Sequence, residues 1–261
     1  MELICKNGLH YLRFPRLAEV PGLFHGFFLR WRVDRDGIMI PFNLGLGCGT
    51  PDKAVWHNRR QIPAVMGNNA MSVFARQVHG RKVAIWDAAH CREPHPDALK
   101  ARKDGDALIT AATAVLLFIQ VADCQPIVII DPVRRVVANI HSGWRGSVQN
   151  IIGATVEKMI RTYGCHAESL LCGIGPSLGP CCAEFVNFRR EIPESSWCYR
   201  RPGDHFDFWQ MSADQLAAAG VPAANISNSG ICTKCNPHLL FSYRRERQTG
   251  RFASVVGIQP A

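Results

Sequence analysis

The sequence predicts an α+β fold in which mixed β-sheet and helices pack in layers within a single domain spanning residues 1–261. Short runs rich in Val and Ile, bounded by polar or Pro-containing turns, point to strands. One long segment instead repeats its apolar residues at steps of three and four, the period of an amphipathic helix. These elements follow one another without the strict strand–helix–strand alternation of a doubly wound sheet. With 261 residues and 47% hydrophobic content, the chain sits at the upper end of what one core supports, which leaves little room for a second domain.

In chain order, the polar stretch from Ala88 to Gly105 reads as a long surface loop, with no repeat, low-complexity tract or Gly/Ser linker on either side. Strands are then expected from Asp106 to Thr110, Val115 to Val121, Ile127 to Ile130 and Arg135 to Ile140. The apolar window from Ala111 to Ile130 approaches membrane-spanning length, but Gln120, Asp123, Gln125 and Pro126 interrupt it. Two buried strands joined by a polar turn explain it, and no membrane partner is expected. Val148, Ile151, Ile152, Thr155, Val156, Met159, Ile160 and Tyr163 mark the buried face of a helix that Gly164 ends. Further strands are expected from Ser169 to Ile174 and Arg251 to Ile258, and a helix from Met211 to Ala219.

Composition narrows the function classes. The first residues, Met1 to Phe14, lack a basic region followed by an apolar run and a small-residue cleavage site, so no secretory signal is read there. Eleven cysteines, an odd number in a long chain, point to reduced thiols and metal ligation in a reducing compartment; a cytoplasmic location is expected. The net charge of +9 falls in short pairs such as Arg59-Arg60, Arg189-Arg190, Arg200-Arg201 and Arg244-Arg245. It forms no long tract interleaved with aromatics, so a phosphate-bearing small substrate fits better than nucleic acid.

Three segments set a metal-competent side chain at the end of an apolar strand or beside a glycine. They are Arg76-Gln-Val-His79-Gly80, Val121-Ala-Asp-Cys124-Gln-Pro126 and Asn139-Ile-His141-Ser-Gly-Trp-Arg-Gly146. If His79, Cys124 and His141 converge, two imidazoles and a thiolate leave a fourth tetrahedral position open, as catalytic zinc sites do. If they do not, each is an ordinary buried residue. The His141–Gly146 segment also runs from strand through glycine into helix, a geometry that aims backbone N–H groups at an anion, with Arg145 as a charged fork. Phe42-Asn-Leu-Gly-Leu-Gly47 is an incomplete G-x-G-x-x-G, so no dinucleotide site is expected. Cys232-Thr-Lys-Cys235 has zinc-knuckle spacing and could join Cys181-Cys182. Adjacent cysteines chelate awkwardly, however, and reduced thiols are the default expectation there.

Together these blocks resemble the YfiH, or laccase-domain, family of purine nucleoside phosphorylases, earlier labelled polyphenol oxidases. The matching segments are Phe42 to Gly45, Asn58-Arg59, Gln77 to Gly80, Asp104 to Asp106, Ala122 to Cys124 with Pro126, and His141 to Gly146. They continue through Gly173 to Cys182, Phe241 to Arg245 and Thr249 to Arg251, spanning almost the whole chain. The resemblance implies zinc held by His79, Cys124 and His141, and phosphorolysis of adenosine, inosine and methylthioadenosine together with adenosine deamination. Purine nucleosides and phosphate are then the expected partners, with Arg59 and Arg145 on phosphate, Asn43 and Arg244 on substrate, and the protein a monomer or weak homodimer. Ser142 stands where the family usually has alanine, Gln125 where it has leucine, and His25-Gly-Phe-Phe replaces a more polar segment.

Two other chemistries suit the same residues. The older label implies copper, but a mononuclear plus a trinuclear centre takes about ten histidines, typically in H-x-H pairs. This chain has ten histidines in all, and no two are separated by a single residue. A metal-free hydrolase would use Cys124 as nucleophile and His141 as base.

Overall fold

A computed structural model describes residues 1–66, 70–87 and 101–259. Two mixed sheets face each other. The first runs β1 (Glu2–Lys6), β2 (Leu9–Arg13), β3 (Leu23–Val33), β16 (Phe252–Ile258), β9 (Val115–Val121), β5 (Met71–Arg76) and β7 (Ala101–Asp104), with β4 (Met39–Pro41) beside β3. The second runs β15 (Ile226–Asn228), β12 (Leu171–Ile174), β10 (Gln125–Asp131), β11 (Val136–Ser142), β8 (Ala107–Thr110) and β6 (Val83–Ile85). A small hairpin pairs β13 (Arg200–Arg201) with β14 (His205–Phe206). The α+β class read from the sequence is the one observed.

Side chains alternate between layers with the period of two that a pleated strand imposes. Along β9, Val115, Leu117, Ile119 and Val121 join Val128, Ile130 and Val137 of the second sheet in the core between the sheets. Leu116 and Phe118 point the other way, against Tyr11, Phe28, Phe42, Ile62 and Val65. On the far face of the second sheet, Ile127, Ile129, Ala138 and Ile140 meet Ile151, Ile152, Val156 and Met159 of the helix Ile151–Tyr163, and Leu216 of the helix Phe208–Ala218. Strands β10 and β11 are therefore buried on both faces, which is why apolar residues at successive positions dominate their centres.

One polar residue crosses the central layer. Asn139 on β11 donates its amide to the carbonyls of Leu117 on β9 and Ser254 on β16, both at 2.9 Å, and accepts from the Ser254 hydroxyl. A buried amide is tolerated there because its hydrogen-bonding capacity is used.

The structure refines several expected elements. The predicted helix begins only at Ile151, because Asn150 adopts a left-handed conformation (φ 56°) and caps Gly153 N–H; a separate turn, Trp144–Val148, precedes it. Gly164 ends the helix as expected, while Ile160, expected on the buried face, is exposed. The second predicted helix starts earlier, at Phe208, where Asp207 supplies the cap. Of the expected Ala88–Gly105 loop, residues 88–100 lie outside the described residues, and Ala101–Asp104 is strand β7, parallel to β5. Among the described residues, no helix is long and apolar enough to cross a membrane.

Candidate metal centre and cavity

The three singled-out side chains arrive from different parts of the sandwich. His79 follows β5 of the first sheet, Cys124 lies where the chain passes from β9 to β10, and His141 stands on β11 of the second. Their ligand atoms all lie within 4.8 Å of one another, with Cys124 Sγ 3.8 Å from His79 Nε2. The imidazole rings of His79 and His141 meet edge to face at 4.7 Å between centroids. His141 is buried, Cys124 half-buried and His79 exposed, so the group opens outward on one side.

Backbone conformation brings them together. His79 has φ 62° and Asp123 φ 94°, left-handed values that a side chain adopts only where its surroundings hold it. The holder at His79 is Asp106, a fully buried carboxylate that accepts the N–H groups of Val78, His79 and Gly80. The same carboxylate lies 2.8 Å from His141 Nδ1, which leaves Nε2 as the ring's ligand atom. Asp123 accepts from the Thr233 hydroxyl and the Arg244 N–H. Gly143 lies against the group. A Cβ there would sit 2.9 Å from His79 Cδ2 and 3.2 Å from Cys124 Sγ, so only glycine leaves this space clear.

These contacts set the protonation states. Burial pushes the Cys124 thiol up, but the charge on His141 and hydrogen bonds from both imidazoles outweigh it, leaving the thiol well below its ordinary range. Burial opposes protonation of His141, yet Cys124 and Asp106 carry it above the usual imidazole value. Burial also works against ionised Asp106, and the bonds from His141, Gly80 and His79 override it. A thiolate and two imidazoles, one of them backed by a carboxylate, fit a borderline-soft divalent ion such as zinc with one position open.

A cavity of about 670 Å³ opens above the group. Its lining includes the aromatic rings of Trp144, Phe185 and Phe208 and the cationic side chains of Arg76, Arg244, Arg247 and Arg251. Arg244 is anchored by bonds from Nη1 to the carbonyls of Cys182 and Glu184.

Of the other residues predicted for substrate contact, only Arg244 lines this cavity. Arg59 is buried: its guanidinium donates twice to Leu44 O and stacks over Phe74 at 4.2 Å. Asn43 is also buried, accepting from the Gly45 and Arg251 N–H groups. Both therefore act from beneath, shaping the turn whose Gly45 and Leu46 reach the cavity wall. Arg145 is exposed and stacks on Trp144 at 4.1 Å, outside the lining, and its helix is a single turn. The departures from the family pattern also have internal partners. Gln125 bonds Phe208 O and the Ser212 hydroxyl, Ser142 bonds Ser147, and His25 accepts the Phe14 N–H.

Residues 24–259 match the family model described as multi-copper polyphenol oxidoreductase laccase. The chain is 32% identical over 247 residues to the purine nucleoside phosphorylase YlmD of Geobacillus stearothermophilus, covering 90% of each protein. It is 35% identical over 186 residues to adenosine deaminase RL5 of an unknown prokaryotic organism, covering 66% of this chain and 69% of that one. The crystal structure of the Bacillus licheniformis hypothetical protein YfiH superposes with a TM-score of 0.81 at 25% identity, over 97% of both chains.

Proposed function

The chain belongs to the multi-copper polyphenol oxidoreductase laccase family, and from that premise we propose that it is a zinc-dependent enzyme of purine nucleosides. It cleaves adenosine, inosine and methylthioadenosine with phosphate and deaminates adenosine. The observation that carries this reading is the convergence of His79, Cys124 and His141 at a cavity lined by both aromatic and cationic side chains. The names of two relatives, a purine nucleoside phosphorylase and an adenosine deaminase, support the same two reactions.

In this reading His79, Cys124 and His141 hold the ion, which supplies Lewis acidity when bound. Asp106 keeps the His141 proton on Nδ1, so that Nε2 presents its lone pair. Trp144, Phe185 and Phe208 take the purine by stacking and exclude water from it. Arg244, with Arg247 and Arg251 beside it, holds phosphate and offsets charge in the transition state.

The copper oxidase reading draws on the family description. Among the described residues, however, the two metal-competent groups contain only two histidines between them, far short of the roughly ten a four-copper enzyme takes. Elemental analysis of wild type and His141→Ala, with adenosine and phosphate turnover followed on the same samples, tests the proposal. About one zinc per chain, the ion of the cavity centre, and both activities should be lost together in the variant. Full turnover by metal-free protein, with a trapped covalent adduct on Cys124, would transfer the assignment to a cysteine hydrolase. Oxygen-dependent phenol oxidation without nucleoside turnover would transfer it to the oxidase.

A further inference from the structure

A second group of metal-competent side chains lies in two turns that the proposed chemistry does not use. Cys181 and Cys182 sit in the turn after Gly179, and Cys232 and Cys235 in the segment after β15. Their four sulfur atoms lie within 4.8 Å of one another. Two of the separations are 3.7 Å (Cys181 to Cys235) and 3.6 Å (Cys182 to Cys235). Four thiolates placed about 2.3 Å from one ion at the corners of a tetrahedron stand about 3.8 Å apart. A disulfide would bring two of them to about 2.05 Å. The separations match those of sulfurs around one ion and exclude a disulfide between these two pairs.

The backbone removes the objection that neighbouring cysteines cannot chelate together. The N–H groups of Cys182 and Ala183 both bond to Gly179 O, and this tight turn carries both sulfurs towards Cys235. Across from it, the N–H groups of Gly179 and Cys235 donate to the Cys232 sulfur, as amides do around a bound thiolate. Four thiolates around a divalent ion carry two net negative charges. The surroundings are basic: Lys234 lies within the Cys-x-x-Cys loop, Arg245 reaches the Lys234 carbonyl, and Arg244 bonds the Cys182 carbonyl.

We propose that Cys181, Cys182, Cys232 and Cys235 bind one zinc ion in a closed, structural site distinct from the cavity centre. With four protein ligands no position is left for substrate, so the ion contributes to folding rather than chemistry. It clips together two segments already joined by hydrogen bonds between Ser177 and Ile231 and between Thr233 and Ser177. Those segments bear Leu178, Ala183 and Arg244 of the cavity wall.

The test uses the full chain with its cavity centre disabled, as His79→Ala/His141→Ala, purified under reducing conditions. This variant should retain about one zinc per chain, as a single closed site requires. Its cobalt-exchanged form should show the intense sulfur-to-cobalt absorption of four thiolates. Adding Cys235→Ser should remove the ion, whereas Cys235→His should keep it with a weaker sulfur-to-cobalt band, since three thiolates and an imidazole still make a closed set. If Cys235→Ser does not fold, the cobalt spectrum of the parent variant decides. Absence of zinc from the parent variant, its retention by a folded Cys235→Ser protein, or a disulfide joining any of the four cysteines under reducing conditions would overturn the site.

Discussion

Asp106 ties together two stretches of chain that are far apart in sequence. Its carboxylate takes three N–H groups from the His79 turn and faces the His141 ring, across sequence separations of 27 and 35 residues from those histidines. Asp106→Asn keeps the shape but replaces one acceptor oxygen with an N–H₂ that opposes the donors. The protein should still fold, while zinc affinity at the cavity centre falls about 10- to 100-fold, the usual effect of losing a carboxylate behind a histidine ligand. Competition with a chromophoric chelator measures this, and unchanged affinity would mean the carboxylate has no part in orienting His141. The three candidate ligands were legible in the sequence because each stands where an apolar run meets a turn. The role of Asp106 was not, since its partners are set by the pairing of β8 with β11. Arg59, Arg145 and Asn43 show the converse, because charge and polarity reveal what a side chain can bind but not which way it faces.

At the scale of elements, the sequence was most informative where strands are buried on both faces. Val115–Val121 is observed with the boundaries its apolar run predicts. Strand β7 could not be read, because Ala101-Arg-Lys-Asp104 is polar and becomes a strand by pairing with β5. The start of the first short helix, Pro15–Ala18, depends on a residue in β3: His25 accepts the Phe14 N–H at 2.9 Å, with its ring stacked on Phe14. Burial, and then the charge of Arg13, lower its pKa from 6.5 to about 4. Between those values the unfolded chain binds a proton that the native protein refuses, so stability declines as pH falls from 6.5 towards 4. The loss should reach about 3 kcal/mol at the acid end. His25→Gln can accept the same N–H without titrating. Urea unfolding of both proteins at pH 7 and pH 4 should show the variant losing about 3 kcal/mol less; parallel losses would mean His25 is not the titrating group.

For the whole molecule, the decisive relation is that of one sheet to the other, and the candidate centre draws on both. Asn139 is one polar contact between them, bonding strands β9 and β16 from β11. Asn139→Leu preserves volume but removes a second bond from two ladder carbonyls and leaves the Ser254 hydroxyl without its partner in the central layer. It should cost about 1 to 3 kcal/mol, the usual cost of leaving one buried polar group without its partner. Chemical denaturation reads this directly, and a change near zero would mean those groups find other partners. No periodicity could have exposed this contact, since an asparagine amid Val, Ala and Ile looks like an interruption until the opposite sheet is in place. The passage from one sheet to the other has a consequence for how such a chain can change in length. Only Ala122, Asp123 and Cys124 separate β9 from β10, and one of them is a candidate ligand. One extra residue here would flip the following strand by half a pleat, turning Val128 and Ile130 out of the central layer. The exposed turn Asp34–Ile38 between β3 and β4 has no such constraint. Insertions and deletions can therefore accumulate at that outer turn over evolutionary time, while the three-residue crossing keeps a fixed length.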